Sequence, residues 1–138
     1  MEKYRYKTTA INNNGSDGFA YIVDGIKVQL APISVSSTEH TNPEQLLALS
    51  WATCLNSTLK YLLKAKNINN QSVVKVDAYL LFDKDNKRFD FALDAFVDIE
   101  GLTIEEIEPL MMEADSRCPV SRLFNNNERI TIKAKKFI

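Results

Sequence analysis

Asn42-Pro43-Glu44-Gln45-Leu46-Leu47-Ala48-Leu49-Ser50-Trp51-Ala52-Thr53-Cys54 opens a largely apolar run that continues to Leu63. Asn42 suits an N-cap, Pro43 the first helical position, and Gln45 can reach back as in a capping box. From Leu46 to Leu55 nearly every residue is apolar or small, so this part of the helix is expected to be surrounded by protein. Lys60, Lys64 and Lys66 then supply a wet face and match the negative end of the helix dipole. The stretch predicts the central helix of the fold.

Upstream, Tyr4 to Ala10 alternates tyrosine with charge and threonine, the turn formers Asn12 to Gly18 follow, and Phe19 to Val23 reads as a second strand. Asp24-Gly25 then predicts a tight hairpin to Ile26–Leu30, so three antiparallel strands precede a serine-rich connection from Pro32 to His40. Downstream, Val73 to Phe82 and Arg88 to Ile99 form a second hairpin around Asp83-Lys-Asp-Asn-Lys87. Thr103-Ile-Glu-Glu106 predicts a capped helix toward Arg117, with Pro109 imposing an irregular first turn or a kink. Pro119 opens a short helix, and Ile130 to Phe137 closes the chain as a strand. No repeat or linker divides the sequence, and 138 residues match the commonest size of one domain, so residues 1–138 read as a single domain.

Apolar residues are 45% and charged residues 25% of the chain, and no apolar stretch approaches the ~18 uninterrupted residues of a membrane helix. A formal charge of −1 offers no concentrated basic surface, so neither nucleic acid nor a membrane is expected as a partner. Met1 to Lys7 lacks the apolar core of a secretory signal, which places the chain in the cytoplasm, where a disulfide is more often transient and catalytic than structural. Two cysteines and one histidine without a Cys-x-x-Cys unit lack zinc-ligand spacing, so no metal is expected and His40 reads as a loop residue.

The two cysteines occupy unlike settings. Cys54 lies within an apolar helix, where burial raises a thiol pKa unless a cation or hydrogen-bond donor faces it. Cys118 precedes Pro119, and as the cap of a short helix it would meet amides that favour its thiolate. Free cysteines in such a chain are ordinarily packing residues, and spacing alone leaves that plainer reading standing. A dithiol that cycles to a disulfide needs no other cofactor, because sulfur carries the two electrons.

Thr41-Asn-Pro-Glu-Gln through Cys54, followed by Arg117-Cys-Pro-Val-Ser121, resembles the OsmC/Ohr family of organic hydroperoxide reductases, with both motifs in family order. The resemblance implies an α+β subunit in an intertwined homodimer, with antiparallel sheets wrapped around central helices and two active sites at the subunit interface. By motif, Cys54 would be the peroxidatic cysteine and Cys118 the resolving one. A Cys54 thiolate would attack an organic hydroperoxide, release an alcohol and become a sulfenic acid, and Cys118 would condense with it to a disulfide. An external dithiol, commonly a lipoyl group on a protein, would restore the pair. No cofactor is implied.

Glu44 is the third residue the motif supplies. Ten residues at about 1.5 Å each place it roughly 15 Å along the axis from Cys54, so in an unbroken helix it would serve the other subunit's cysteine. Its plainer role is to stabilise a helix N-terminus. One departure stands out: active members of the family usually carry an arginine in a Gly-Arg-Asp-Gly-like turn, whereas this chain has Gly15-Ser16-Asp17-Gly18. A serine cannot replace a cation beside a buried thiolate. Arg117 and Arg122 are candidate substitutes, with Arg5 a poorer one; the alternative is an OsmC-like ligand-binding or interaction protein whose peroxide chemistry has lapsed.

Overall fold

The computed structural model describes residues 2–35 and 37–138; Met1, and Ser36 within the expected serine-rich connection, lie outside the described residues. The chain packs as two compact units, Met1–Leu46 and Leu47–Ile138.

In the first unit, strands β1 (Ala10–Asn12), β2 (Phe19–Ile22) and β3 (Lys27–Gln29) form an antiparallel sheet in that order. The Asn12 carboxamide oxygen accepts the N–H groups of Asn14 (3.1 Å) and Gly15 (2.7 Å), and Gly15 takes φ +73°, which only glycine adopts without cost. Asp24 turns the β2–β3 hairpin at φ 57°. The expected strand over Tyr4–Ala10 does not form; only Ala10 enters β1, because its ladder meets β2 at Ile22 and the chain opposite turns away at Asp24. Val23 N–H to the Thr9 carbonyl, 2.9 Å, is the outlying bond. His40 sits in the following loop with Nδ1 2.9 Å from the Ser37 hydroxyl.

Helix α1 (Pro43–Ala65) begins as the sequence predicts, with the Asn42 side chain accepting from Gln45 N–H at 2.8 Å. Gln45 reaches back to the Thr41 hydroxyl (3.0 Å) rather than to the Asn42 amide. The helix ends where Asn67 turns left-handed at φ 58°, with Asn67 N–H on the Lys64 carbonyl and Ile68 N–H on that of Leu63. These two bonds are the reciprocal pair that satisfies a helix C-terminus, and Ile68 packs back onto the core.

In the second unit, β4 (Ser72–Asp83) pairs with β5 (Arg88–Ile99) along its whole length, Ser72 opposite Ile99 and Asp83 opposite Arg88. Helices α2 (Ile104–Arg117) and α3 (Pro119–Leu123) follow, and β6 (Ile130–Ala134) joins β5 in parallel. Thr103 and Glu106 make both arms of the capping box. With that first turn secured, α2 continues through Pro109 as one helix.

The core follows from three periodicities. Trp51, Leu55, Leu59 and Leu63 recur every four residues on α1; Leu93, Ala95, Val97 and Ile99 alternate on β5; Ile107, Met111, Ala114 and Cys118 line α2 and its end. All are buried in one cluster. The N-terminal half of α1 is less enclosed than its composition implies, for Leu49 is 63% exposed in this chain.

On the opposite face of β5, the carboxylate of Asp98 is wholly buried. Burial alone would raise its pKa, but the Lys136 ammonium and the N–H groups of Phe137 (2.6 Å) and Ile138 (2.8 Å) outweigh it and lower it to about 2. A folded pKa below the unfolded one gives stability that is present above about pH 4 and is lost as pH falls toward 2, on the order of 2 kcal/mol in full. Acid titration followed by circular dichroism should therefore show Asp98→Asn less stable at pH 7 and less sensitive between pH 4 and 2. Parallel curves for the two proteins would remove Asp98 from the account.

Candidate active site

Trp51 and Cys54 lie three residues apart on α1, so indole and thiol project from one side of the helix. Cys118 stands at the junction of two helices, closing α2 through its N–H on the Ala114 carbonyl (2.9 Å) and opening α3 as the N-cap. Its sulfur accepts from Ser121 N–H at 3.5 Å, as the Cys-Pro sequence predicts. Pro119 fills the first helical position, where a missing N–H costs nothing.

The fold brings the two cysteines together. Cys118 is fully buried and Cys54 partly so, both are free thiols, and Cys118 is among the groups that act on Cys54. The Cys54 pKa is raised, first by burial and then by the Cys118 thiol, which faces it as hydrogen-bond partner and as a second site of negative charge. Only the backbone N–H of Val120 opposes this rise. Of the first amides of α3, that of Ser121 is bonded to the Cys118 sulfur.

Among the described residues, no cation is among the groups acting on Cys54. Arg117 is directed to Glu113 at 3.7 Å on the surface, and Arg122 is exposed on α3. Arg5 and Ser16 are exposed in the first unit, Ser16 within a short 3-10 turn over Gly15–Asp17. Glu44 lies in the first turn of α1, and because that helix is unbroken it stands about 15 Å of helical rise from Cys54. Its Oε2 is shielded from solvent with no hydrogen-bond partner among the described residues.

From sequence, Trp51 reads as core more readily than as the wall of an apolar substrate pocket. It is buried, yet its indole N–H donates to the Ser121 hydroxyl at 2.8 Å, and Phe124 meets the ring edge-on at 5.2 Å between centroids. A cavity of about 500 Å³ opens beside this pair, lined also by Asp115, Asn125 and Glu128; neither sulfur lines it. Among the described residues, no three His, Cys, Asp or Glu side chains cluster to hold a metal, and no helix is long and apolar enough to cross a membrane.

Two free thiols, the fully buried one capping a short helix and acting on the other, thus lie on an α+β scaffold. Comparison with known proteins narrows this class. The profile of OsmC-like proteins matches residues 36–133. An organic hydroperoxide resistance protein-like 2 of Staphylococcus saprophyticus is 30% identical over 96% of this chain and 97% of its own length. The crystal structure of a Lactobacillus casei protein provisionally described as a redox protein aligns with a TM-score of 0.89 at 32% identity, covering 99% of this chain and 94% of that one. That of the organic hydroperoxide resistance protein OsmC from Legionella pneumophila aligns at 0.82 and 26% identity, covering 96% and 97%. The chain belongs to the OsmC-like protein family.

Proposed function

We propose that the protein is a cysteine-based peroxidase that reduces organic hydroperoxides to alcohols, and that residues 1–138 act as one OsmC-like domain. The observation that carries this reading is the pairing of Cys54 with Cys118 at the α3 N-terminus. In the first step the Cys54 thiolate attacks one peroxide oxygen, the O–O bond breaks, and an alcohol leaves with a proton as sulfenic acid forms. In the second, the Cys118 sulfur attacks Cys54, the S–O bond breaks, and water departs as the disulfide forms. A lipoylated protein or another cytoplasmic dithiol then returns two electrons.

A second copy of the chain is part of this reading. The end of the β4–β5 hairpin is apolar at consecutive positions, Tyr79 to Phe82 and again at Phe89 and Phe91, so both faces present apolar side chains, all exposed. Leu49 adds an exposed apolar side chain on α1. A homodimer covers such surface and supplies a neighbour for the unpartnered Glu44 oxygen.

The raised Cys54 thiol and the absence of a cation among its neighbours favour one other reading, an OsmC-like ligand-binding or interaction protein without peroxide chemistry. Stopped-flow mixing with cumene hydroperoxide separates the two. A peroxidase loses both thiols as one equivalent of peroxide is consumed. Because the nucleophile is a thiolate with a raised pKa, the rate should climb about tenfold per pH unit between pH 6 and 8. Thiols that persist through excess peroxide at pH 8 would leave the ligand-binding reading in place.

A further inference from the structure

Ser121 makes two contacts that meet at the sulfur pair: its N–H is on Cys118 Sγ, and its hydroxyl accepts from Trp51 one helical turn from Cys54. Both residues are buried, so the bond forms where the local dielectric is low and losing it leaves a polar group poorly matched. The carrier of these amides, α3, has only five residues, too few to hold itself in place, and its placement depends on what it touches. The indole touches it twice, at Ser121 within the helix and at Phe124, its C-cap.

We infer that the Trp51–Ser121 hydrogen bond is the positioning contact that sets the separation of Cys54 and Cys118, and so governs closure of the disulfide. The inference rests on the cysteine pairing of the reading above, but not on peroxide. Disulfide bonds demand Cβ atoms roughly 3.5–4.5 Å apart, so a shift of α3 by about an ångström weakens closure directly. Trp51 and Ser121 act through the cysteines and do not touch the reacting oxygen.

The test is the thiol–disulfide equilibrium against glutathione, in which oxidised glutathione takes the two electrons and two protons of the dithiol and leaves as two reduced molecules. Trp51→Phe and Ser121→Ala should each lower the equilibrium constant for the Cys54–Cys118 disulfide by about tenfold, and the double variant should be no worse than the more affected single one. Ser121→Thr, which keeps the hydroxyl, should stay within about threefold of wild type. Leu63→Ala, in the same core but near the far end of α1, should lower stability without moving the equilibrium. The inference is overturned if folded Trp51→Phe and Ser121→Ala proteins match the wild-type equilibrium, if Leu63→Ala shifts it equally, or if the wild type forms no such disulfide. A wild type inert to cumene hydroperoxide whose disulfide still responds to Trp51 and Ser121 sinks the peroxidase reading and leaves this one standing.

Discussion

A Cys54→Ser protein should consume organic hydroperoxide at least ~10³-fold more slowly than wild type, because a serine hydroxyl is not ionised at neutral pH and, among the described residues, no cation acts on that position. The companion substitution separates the two sulfurs. Cys118→Ser leaves the first attack possible and removes the partner that condenses with the sulfenic acid, so one equivalent of peroxide is reduced and the oxidised Cys54 persists. A dimedone adduct on Cys54, found by mass spectrometry in Cys118→Ser and scarce in wild type, is the expected signature. Peroxide consumption by Cys54→Ser at the wild-type rate would remove this sulfur from the chemistry altogether.

Charging the end of the second hairpin should break the proposed homodimer. Phe82 and Phe89 stand opposite each other with ring centroids 5.2 Å apart, and they are 54% and 66% exposed in the single chain. Phe82→Asp with Phe89→Lys keeps a complementary cross-strand pair, so the hairpin itself is spared. If the uncovered half of each ring contributes on the order of 1 kcal/mol when buried, a two-fold dimer buries four of them, and the dissociation constant rises about 10³-fold. Sedimentation velocity at micromolar protein should show a wild-type dimer and a monomeric variant. A wild type that sediments as a monomer, or a variant that remains dimeric, would refute the assignment of this surface.

Several local signals were read correctly because their determinants lay within a few residues, although Gln45 closes on Thr41 rather than on Asn42. The Thr103–Glu106 capping box and the Cys118 cap rest on neighbours three or four positions away. The Tyr4–Ala10 alternation failed because a strand needs something to pair with, and β2 turns at Asp24 before it can serve. The parallel addition of β6 to β5 has no local signature, since alternation does not encode the direction of a partner. At the site, the motif named both cysteines, but the Trp51–Ser121 bond joins residues 70 positions apart and no spacing announces it. The apolar run of α1 called for cover, and the exposed Leu49 shows that this chain does not provide all of it.

The clamp on Asp98 bears on how the molecule is made. The carboxylate belongs to the central strand of its sheet, yet the ammonium and amides that hold it arrive 38 to 40 residues later in synthesis. While the ribosome is still adding that segment, β5 can dock its apolar face, because Asp98 lies on the other one; what must wait for Lys136, Phe137 and Ile138 is burial of the carboxylate, which is costly while its charge is unmatched.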